Sequence, residues 1–352
     1  MTVRVWAAVA AAAVAVVSGP SGAAPQRQVL FRFADPRITE ASGIASGVRS
    51  PGVFYVENDS GDSNRFFAVA ARDGATVAVV TVARARNVDW EDIATAPDRH
   101  GTPSVWLADI GDNDAARRSV QVYRVAEPRL DPRERNRTVE MRAAQVWRLR
   151  YPGGPVDAES LAVGPDGTAY IVTKSLGTST VYRLPARPVP GTVQPLQRVG
   201  RISFTLTGTD NPFGLPGQLV ATSAAIDADA TVFAVRTYAD AWVWPLAGGG
   251  VGAALRRKPT VVPLPRQPQG EGLTVSAGRL IVDSEHVHSA VYAVPLPRLS
   301  AAPATGTAPA EAAASPAASG DAGRVGWLVL LGAALVTAAA AGAGVMRARR
   351  RR

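Results

Sequence analysis

The chain has 352 residues, of which 38 are basic, 29 are acidic and none is cysteine. Without cysteine it has no disulfide, no thiolate metal ligand and no cysteine nucleophile. Seven of the basic and two of the acidic residues lie outside residues 25–300, so the charge of that segment is +4 rather than +9. So small an excess, without a basic patch interleaved with aromatic residues, argues against nucleic-acid binding.

Residues 1–24 are predicted to be an export signal peptide. Arg4 supplies a short charged region, residues 7–17 are apolar, and the small residues at 18–24 suit cleavage. The apolar stretch is too short to span a bilayer, and an uncleaved anchor is the alternative interpretation.

Residues 25–299 are predicted to form one all-β domain built from a repeat. A glutamate leads into a short apolar strand at Glu40, Glu91, Glu159 and Glu271, and a fifth copy at Ser223 keeps the strand without the acid. Each copy continues into further runs of β-branched and aromatic residues bounded by Gly, Pro and Asp. Self-similarity at this spacing predicts a radial repeat, and therefore a β-propeller.

Five blades are favoured because the fifth copy lacks only its fourth strand. Residues 29–33 precede the first copy as the other fourth strands precede theirs, so this N-terminal strand is expected to complete the last blade and close the ring. Six blades are the alternative, if residues 185–219 contain a degenerate blade. The charged segment 127–140 is expected to be a surface loop, and the tryptophans of the strands are expected to pack between blades.

The C-terminal part of the chain predicts a membrane anchor. Residues 300–324 are rich in Ala and Pro and are expected to form a flexible stalk. Residues 325–346 are uncharged and long enough for a transmembrane helix, and 347–352 contain five arginines, which favour the cytoplasmic side. The sequence therefore predicts a single-pass protein of the cell membrane with an extracellular propeller and a cytoplasmic tail.

The loops that enter the first strand of a blade and those that leave its second strand lie on one face of a propeller. Polar residues are concentrated in these loops, so a site is expected at one mouth of the central channel. Their oxygen atoms suit Ca²⁺, whereas capping of turns is the alternative role. The predicted calcium ligands are Glu40, Asn58, Asp59, Glu91, Asp109, Asp112 and Asn113.

Two cationic residues are predicted near the same mouth. Lys174 and Arg236 follow the second strands of blades three and four and could bind a small anionic ligand, with simple ion pairing as the alternative. Glu91 and His286 are the candidate catalytic groups, and His286 with His288 could instead be a metal-binding pair. The remaining predicted ligand-binding residues are Glu159, Glu271 and Glu285.

Six short motifs carry a resemblance to a known group of proteins. They are Glu40-Ala-Ser-Gly, Asn58-Asp-Ser-Gly-Asp62, Asp89-Trp-Glu-Asp92, Asp109-Ile-Gly-Asp-Asn113, Asp157-Ala-Glu-Ser160 and Gly270-Glu-Gly272. With them, residues 35–297 resemble secreted actinobacterial β-propeller proteins of the phytase-like or esterase-like group. A more distant similarity is to calcium-dependent lactonase propellers, which usually have six blades. The resemblance implies a calcium-type site at Glu40, Asn58, Asp59, Glu91, Asp109 and Asn113.

Two functions are compatible with these features. The favoured one is a membrane-anchored extracytoplasmic module that binds a small anionic ligand or an envelope protein at a calcium-containing channel mouth, because no clear general base is evident. The other is a metal-dependent hydrolase of phosphoesters or lactones that uses a cation-bound water. The fold alone does not decide between them, since propellers support both binding and catalysis.

Overall fold

The computed structural model describes residues 28–143, 145–246 and 248–299. They form five β-sheets, and the innermost strand of each sheet packs beside the innermost strands of the two neighbouring sheets. The predicted all-β, five-bladed propeller is thereby confirmed. The predicted signal peptide, stalk, transmembrane helix and tail lie outside the described residues. Within the described ranges, no helix is long and apolar enough to cross a membrane.

The strands are numbered in chain order, and each blade is given from its innermost strand outward. Blade 1 contains β2 (Ala41–Ser46), β3 (Val53–Asn58), β4 (Arg65–Ala70) and β5 (Thr76–Ala83). Blade 2 contains β6 (Trp90–Pro97), β7 (Pro103–Asp109), β8 (Val120–Ala126) and β10 (Gln145–Arg150). Blade 3 contains β11 (Ala158–Val163), β12 (Ala169–Thr173), β13 (Thr178–Arg183) and β15 (Gln197–Ser203). Blade 4 contains β16 (Ala221–Ile226), β17 (Val232–Thr237), β18 (Asp240–Pro245) and β19 (Thr260–Pro263). Blade 5 contains β20 (Leu273–Ser276), β21 (Arg279–Val282), β22 (Ala290–Pro295) and β1 (Gln28–Arg32).

Two blades carry a further strand on their outer edge. β9 (Arg137–Arg142) pairs in parallel with β5, and β14 (Val193–Pro195) pairs in parallel with β10. The prediction that 127–140 is only a surface loop was therefore wrong at its C-terminal end. The segment 185–219 contains β14, β15 and the short 3-10 helix Pro216–Gln218, so it does not form a sixth blade. A single helical turn, α1 (Gly250–Ala254), lies in blade 4 before β19.

The N-terminal strand closes the ring, as predicted. β1 pairs antiparallel with β22, with Gln28 opposite Ala293 and Arg32 opposite Ala290. The backbone N–H of Phe33 extends this pairing by donating to the carbonyl oxygen of Ser289 at 3.1 Å. Closure removes the free edge that β22 would otherwise expose. Residues 28–299 thus contain every blade and the closing strand, which makes them a self-contained folding unit.

Apolar clusters between neighbouring blades form the core. Trp90, Trp106, Trp147 and Trp242 are all buried, which confirms their predicted packing role. Trp106 and Trp147 stack with ring centroids 5.1 Å apart and belong to the cluster shared by blades 2 and 3. Large aromatic side chains bury much apolar area, while few side-chain torsion angles are fixed on folding. Their packing therefore stabilises the contact between neighbouring blades.

Hydrogen bonds of Asp92 tie the innermost strands together. Its Oδ2 accepts the backbone N–H of Leu161 in blade 3 at 2.8 Å and the Ser223 hydroxyl in blade 4 at 3.0 Å. The Ser223 Oγ in turn accepts the N–H of Leu273 in blade 5 at 3.0 Å. Gly43 of blade 1 leaves no room for a side chain, because a Cβ there would lie 2.7 Å from Asp92 Oδ1. These contacts form the floor beneath the channel mouth.

Candidate functional site

The first strands of the blades share a local feature at the channel mouth. In four blades the pairing between the first and second strands shifts by one residue at the start of the first strand, which is a β-bulge. The equivalent residues, blade by blade, are Ser42, Glu91, Glu159, Thr222 and Glu271. In blade 1 this position is occupied by Ser42. Glu40, which the sequence pattern placed there, lies two residues earlier.

The two hydroxyl residues of this set connect neighbouring blades. Ser42 Oγ donates to the carbonyl oxygen of Glu91 at 2.9 Å, and Thr222 Oγ1 donates to that of Glu271 at 2.9 Å. The acidic members are almost fully buried, with Glu91, Glu159 and Glu271 each 4–5% exposed. Carboxylates that are this buried need either a proton, a cation or several donors.

Three carboxylates converge where blades 1 and 2 meet. Asp59 follows β3, Asp89 precedes β6 and Glu91 lies at the bulge of β6, and one oxygen of each lies within 4.8 Å of the others. We call these residues the carboxylate triad. Asp59 and Glu91 were among the predicted calcium ligands, whereas Asp89 was not.

Burial and mutual repulsion raise the pKa of every member of the triad. Burial is the largest cause in each case, and it raises the pKa of Asp89 to about 7 with the neighbouring Asp59 charge adding to the effect. The pKa of Asp59 is raised, and that of Glu91 is raised well above its usual range by burial and by Asp59. In the metal-free protein the triad therefore retains protons near neutral pH, and a divalent cation could replace them.

Gly111 forms one wall of the triad. A Cβ at this position would overlap the carboxylate oxygens of Glu91 and Asp89. The backbone N–H of Gly111 also donates to the carbonyl oxygen of Asp89 at 3.2 Å, which fixes the glycine against the triad. The absence of a side chain here is what leaves the space between the carboxylates open.

The opposite half of the mouth contains a lysine. The Lys174 ammonium forms an ion pair with Glu159 and lies 5.8 Å from the centre of the Tyr238 ring. Burial disfavours its charged form, but the charge of Glu159, followed by Tyr238 and Glu271, outweighs that effect and the pKa of Lys174 is raised. Lys174 is thus an internal counter-ion of the mouth, in line with the ion-pairing alternative considered for it.

Two further acids share one amide group beside this lysine. Gln269 Nε2 donates to Glu271 Oε1 at 3.2 Å and also to Glu285 Oε1. Burial, with smaller contributions from neighbouring charges, raises the pKa of Glu271 to about 6 and that of Glu285 to about 9. Glu271 Oε2 and Glu159 Oε2 are buried oxygens that lack a hydrogen-bond partner in the described structure. The mouth as a whole is therefore strongly acidic.

Asn58 and Glu40 lie beside the triad. Asn58 Oδ1 accepts the backbone N–H groups of Thr39 at 3.1 Å and Glu40 at 3.2 Å, and its Nδ2 donates to Asp62 at 2.9 Å. Glu40 is half-buried, and its charge contributes to the raised pKa of Asp59. Asn58 thus positions the loop that leads to β2.

Asp109 and Asp112 organise the loop after β7. Asp109 Oδ1 accepts the N–H of Asp89 at 3.1 Å and an Arg117 guanidinium nitrogen at 2.8 Å. The Asp112 carboxylate accepts the backbone N–H of Arg117 at 2.9 Å, while Asn113 is exposed in the same loop. These contacts resemble turn capping, and they set the position of Asp89 in the triad.

Arg236 lies beneath the mouth and is fully buried. Its Nη1 donates to the carbonyl oxygens of Gly272 at 2.6 Å and Asp283 at 2.8 Å, and its Nη2 donates to Gln267 Oε1 at 2.7 Å. The structure therefore does not bring Arg236 beside Lys174 as a second cation of the mouth. Its contacts connect blades 4 and 5.

Neither histidine of the H-x-H pair belongs to the triad. His286 and His288 are exposed in the loop between β21 and β22, and both have positive φ values, of 82° and 61°. His288 Nδ1 hydrogen-bonds with the carbonyl oxygen of Phe33 at 2.8 Å, which connects this loop to the segment after β1.

The comparisons with known proteins do not identify a family for this chain. No protein-family model matches the chain, and no curated protein matches it. Among solved structures, one described as Kuenenia stuttgartiensis hydrazine synthase aligns at 13% identity with a TM-score of 0.34. The alignment covers 70% of this chain and only 56% of that chain. A likeness this weak carries no argument about activity, and the phytase-like or esterase-like resemblance stays a prediction.

Proposed function

We propose that this β-propeller binds a divalent cation at its channel mouth and that this cation is calcium. The ligands are the triad Asp59, Asp89 and Glu91, and the bound ion presents free coordination positions to a ligand or protein partner. In this proposal the chain is a membrane-anchored, extracytoplasmic binding module, as its terminal segments predict.

The convergence of the three carboxylates is the observation that supports the proposal. Calcium–oxygen distances are about 2.3–2.6 Å, so oxygens bound to one ion lie up to about 5 Å apart. The triad oxygens lie within 4.8 Å of one another, which is within that limit. Three carboxylate groups supply part of the six to eight oxygens that calcium takes, and water or ligand oxygens complete the shell.

The remaining geometry favours a binding module over the hydrolase. Lys174 is paired with Glu159 and Arg236 is buried in contacts between blades, so the two cations do not form an anion clamp. His286 is exposed outside the triad and is not positioned as a base toward it. Turnover of a phosphodiester or a lactone by the calcium-loaded protein is the result that would favour the hydrolase instead.

Calcium titration of residues 25–299 by calorimetry tests the proposal. We expect binding at one site per chain and, at a hundredfold excess over Kd, a rise of the melting temperature on the order of 5–10 °C. Glu91→Gln, which matches the protonated glutamate in shape, should fold normally and lose at least the roughly tenfold to hundredfold affinity typical of a disturbed metal site.

Asp114→Asn is the matched control, because Asp114 is an exposed acid in a loop of the same face. It should keep both the affinity and the melting shift. An unchanged calcium isotherm in Glu91→Gln would contradict the assignment of the triad. Absence of any calcium effect on the unaltered protein would contradict the site altogether.

Gly111→Ala should weaken calcium binding although it replaces none of the proposed calcium ligands. The added methyl group would occupy the space beside the Glu91 and Asp89 carboxylates, so the triad must open to admit an ion. We expect calcium affinity to fall on the order of tenfold, measured by the same titration. Gly153→Ala, where φ is not positive and nothing lies within 4 Å of the added Cβ, should leave affinity unchanged, and equal behaviour of the two variants would contradict this role of Gly111.

A further inference from the structure

Both ends of the described chain leave the propeller on the face opposite the mouth. Gln28 begins β1 and pairs with Ala293, near the end of β22 that is remote from the mouth loops. After β22, the N–H of Leu296 donates at 3.0 Å to the carbonyl oxygen of Gly278, in the turn between β20 and β21. The chain that follows residue 299 therefore starts from this opposite face.

The same face is rich in unpaired basic side chains. It is formed by the turns between first and second strands and between third and fourth strands, and every blade contributes at least one exposed basic residue. Within the described ranges these residues have no acidic partner; they are Arg49, Arg99, Arg129, Arg187, Lys258 and Arg298. We call them the basic face.

Some acids on this side are neutralised within the protein, whereas the exposed Asp166 and Asp229 have no ion pair in the described structure. Asp98 forms an ion pair with Arg124, and Asp73 pairs with both Arg72 and Arg135. Glu127 is buried, and its carboxylate accepts backbone N–H groups of the turn after β2. The six residues of the basic face outnumber these two exposed acids, so the charge of this surface is positive.

Apolar side chains and a cleft accompany these charges. Val48, next to Arg49, is 45% exposed, and Val189, close to Arg187, is 51% exposed, each in a turn of this face. A cleft of about 480 Å³ opens between blades 2 and 3, with Arg99 lining it. Basic side chains beside exposed aliphatic ones suit the headgroup region of a lipid bilayer, where charge and apolar contact both contribute.

We propose that the basic face docks on an anionic phospholipid surface. Charge complementarity and the exit of the chain toward residues 300–352, which include the uncharged stretch 325–346, favour a membrane over other anionic partners. Docking in this orientation turns the acidic mouth away from the lipid. The docking uses none of the triad residues and does not depend on calcium binding.

Vesicle sedimentation of residues 25–299 tests this docking. We expect binding to vesicles that contain phosphatidylglycerol, little binding to pure phosphatidylcholine vesicles, and a loss of binding as salt is raised. The triple variant Arg49→Ser, Arg187→Ser and Lys258→Ser should lower the partition coefficient about 100-fold, since each basic residue near the surface contributes separately.

A triple variant of the mouth face is the control of equal charge. Arg84→Ser, Arg86→Ser and Arg118→Ser remove three exposed basic residues from loops beside the mouth and should retain vesicle binding. Equal loss in both triple variants would show that only net charge matters and would overturn the orientation. No binding of the unaltered protein to anionic vesicles would overturn the docking, while its calcium titration would still report on the triad.

Discussion

Lys174→Met is expected to lower the free energy of unfolding by about 3–5 kcal/mol, the usual cost of removing one partner from a buried ion pair. The methionine keeps most of the volume but leaves Glu159 and Glu271 without their nearby positive charge. Denaturant unfolding of residues 25–299 in the presence of a chelator measures this change. The chelator is needed because a metal ion could replace part of the lost charge.

The chain has only one other lysine, Lys258, and it is exposed on the basic face. Lys258→Met should change the free energy of unfolding by no more than about 0.5 kcal/mol. In the double variant Lys174→Met/Glu159→Gln the uncompensated charge is removed, so most of the stability should return. A Lys174→Met protein as stable as the Lys258→Met protein would show that the mouth acids do not require this counter-ion.

Metal-free protein is expected to lose stability as the pH rises from about 5 to about 9. Burial raises the pKa of Asp89 and Asp283 to about 7 and that of Glu285 to about 9. The folded protein therefore binds more protons than the unfolded chain in this range, and linkage requires stability to fall as those protons leave. The melting temperature in chelator should fall by on the order of 5 °C or more across the range.

Calcium should oppose this loss. A cation favours the deprotonated triad, so calcium affinity should increase with pH and the melting curves with and without calcium should separate above about pH 7. Asp89→Asn should reduce both the pH dependence and the calcium effect, whereas exposed Asp229→Asn should change neither. A metal-free protein whose stability rises steadily with pH would contradict the raised pKa values of the mouth.

Acidification should also destabilise the fold, through different residues. Ion pairing with Arg37 lowers the pKa of Asp35 to about 2. Hydrogen bonds and the Arg124 charge likewise lower the pKa of Asp98 to about 2, against an opposing effect of burial. Their contribution is lost as the pH falls below about 4 toward these values. The metal-free protein is therefore expected to be most stable in mildly acidic solution.

Features with a local or strictly repeated pattern could be predicted from the sequence. Five copies of the strand pattern, four of them with a glutamate, give the blade number. Residues 29–33 are identified as the missing strand because they precede the first copy as the other fourth strands precede theirs. β9 could not be predicted in this way. It pairs in parallel with β5 from a distant part of the chain, and its arginines are typical of a loop.

The sequence predicts where the site lies more accurately than which residues form it. Alternation identifies strands but not the residue at which each strand begins or ends. Glu40 lies four residues before Ile44, whereas Glu91 lies only two before Ile93, so the first copy was aligned on the wrong residue. Arg236 lies inside β17, whereas Lys174 follows the end of β12. Asp89 lies two residues before Glu91 in the same motif, but only the approach of the β3 loop makes it a neighbour of Asp59.

The closing strand also determines when the propeller can be completed. β1 is the first strand of the propeller to leave the ribosome, and its partner β22 is the last. Blades 1 to 4 can assemble from neighbouring hairpins, but blade 5 must bring together the two ends of the domain, at the entropic cost of closing almost the entire chain into a loop. That step has to wait until residue 295 has been synthesised. Until then the residues of β1 have no partner, so chaperone protection of the emerging chain should matter most for this strand.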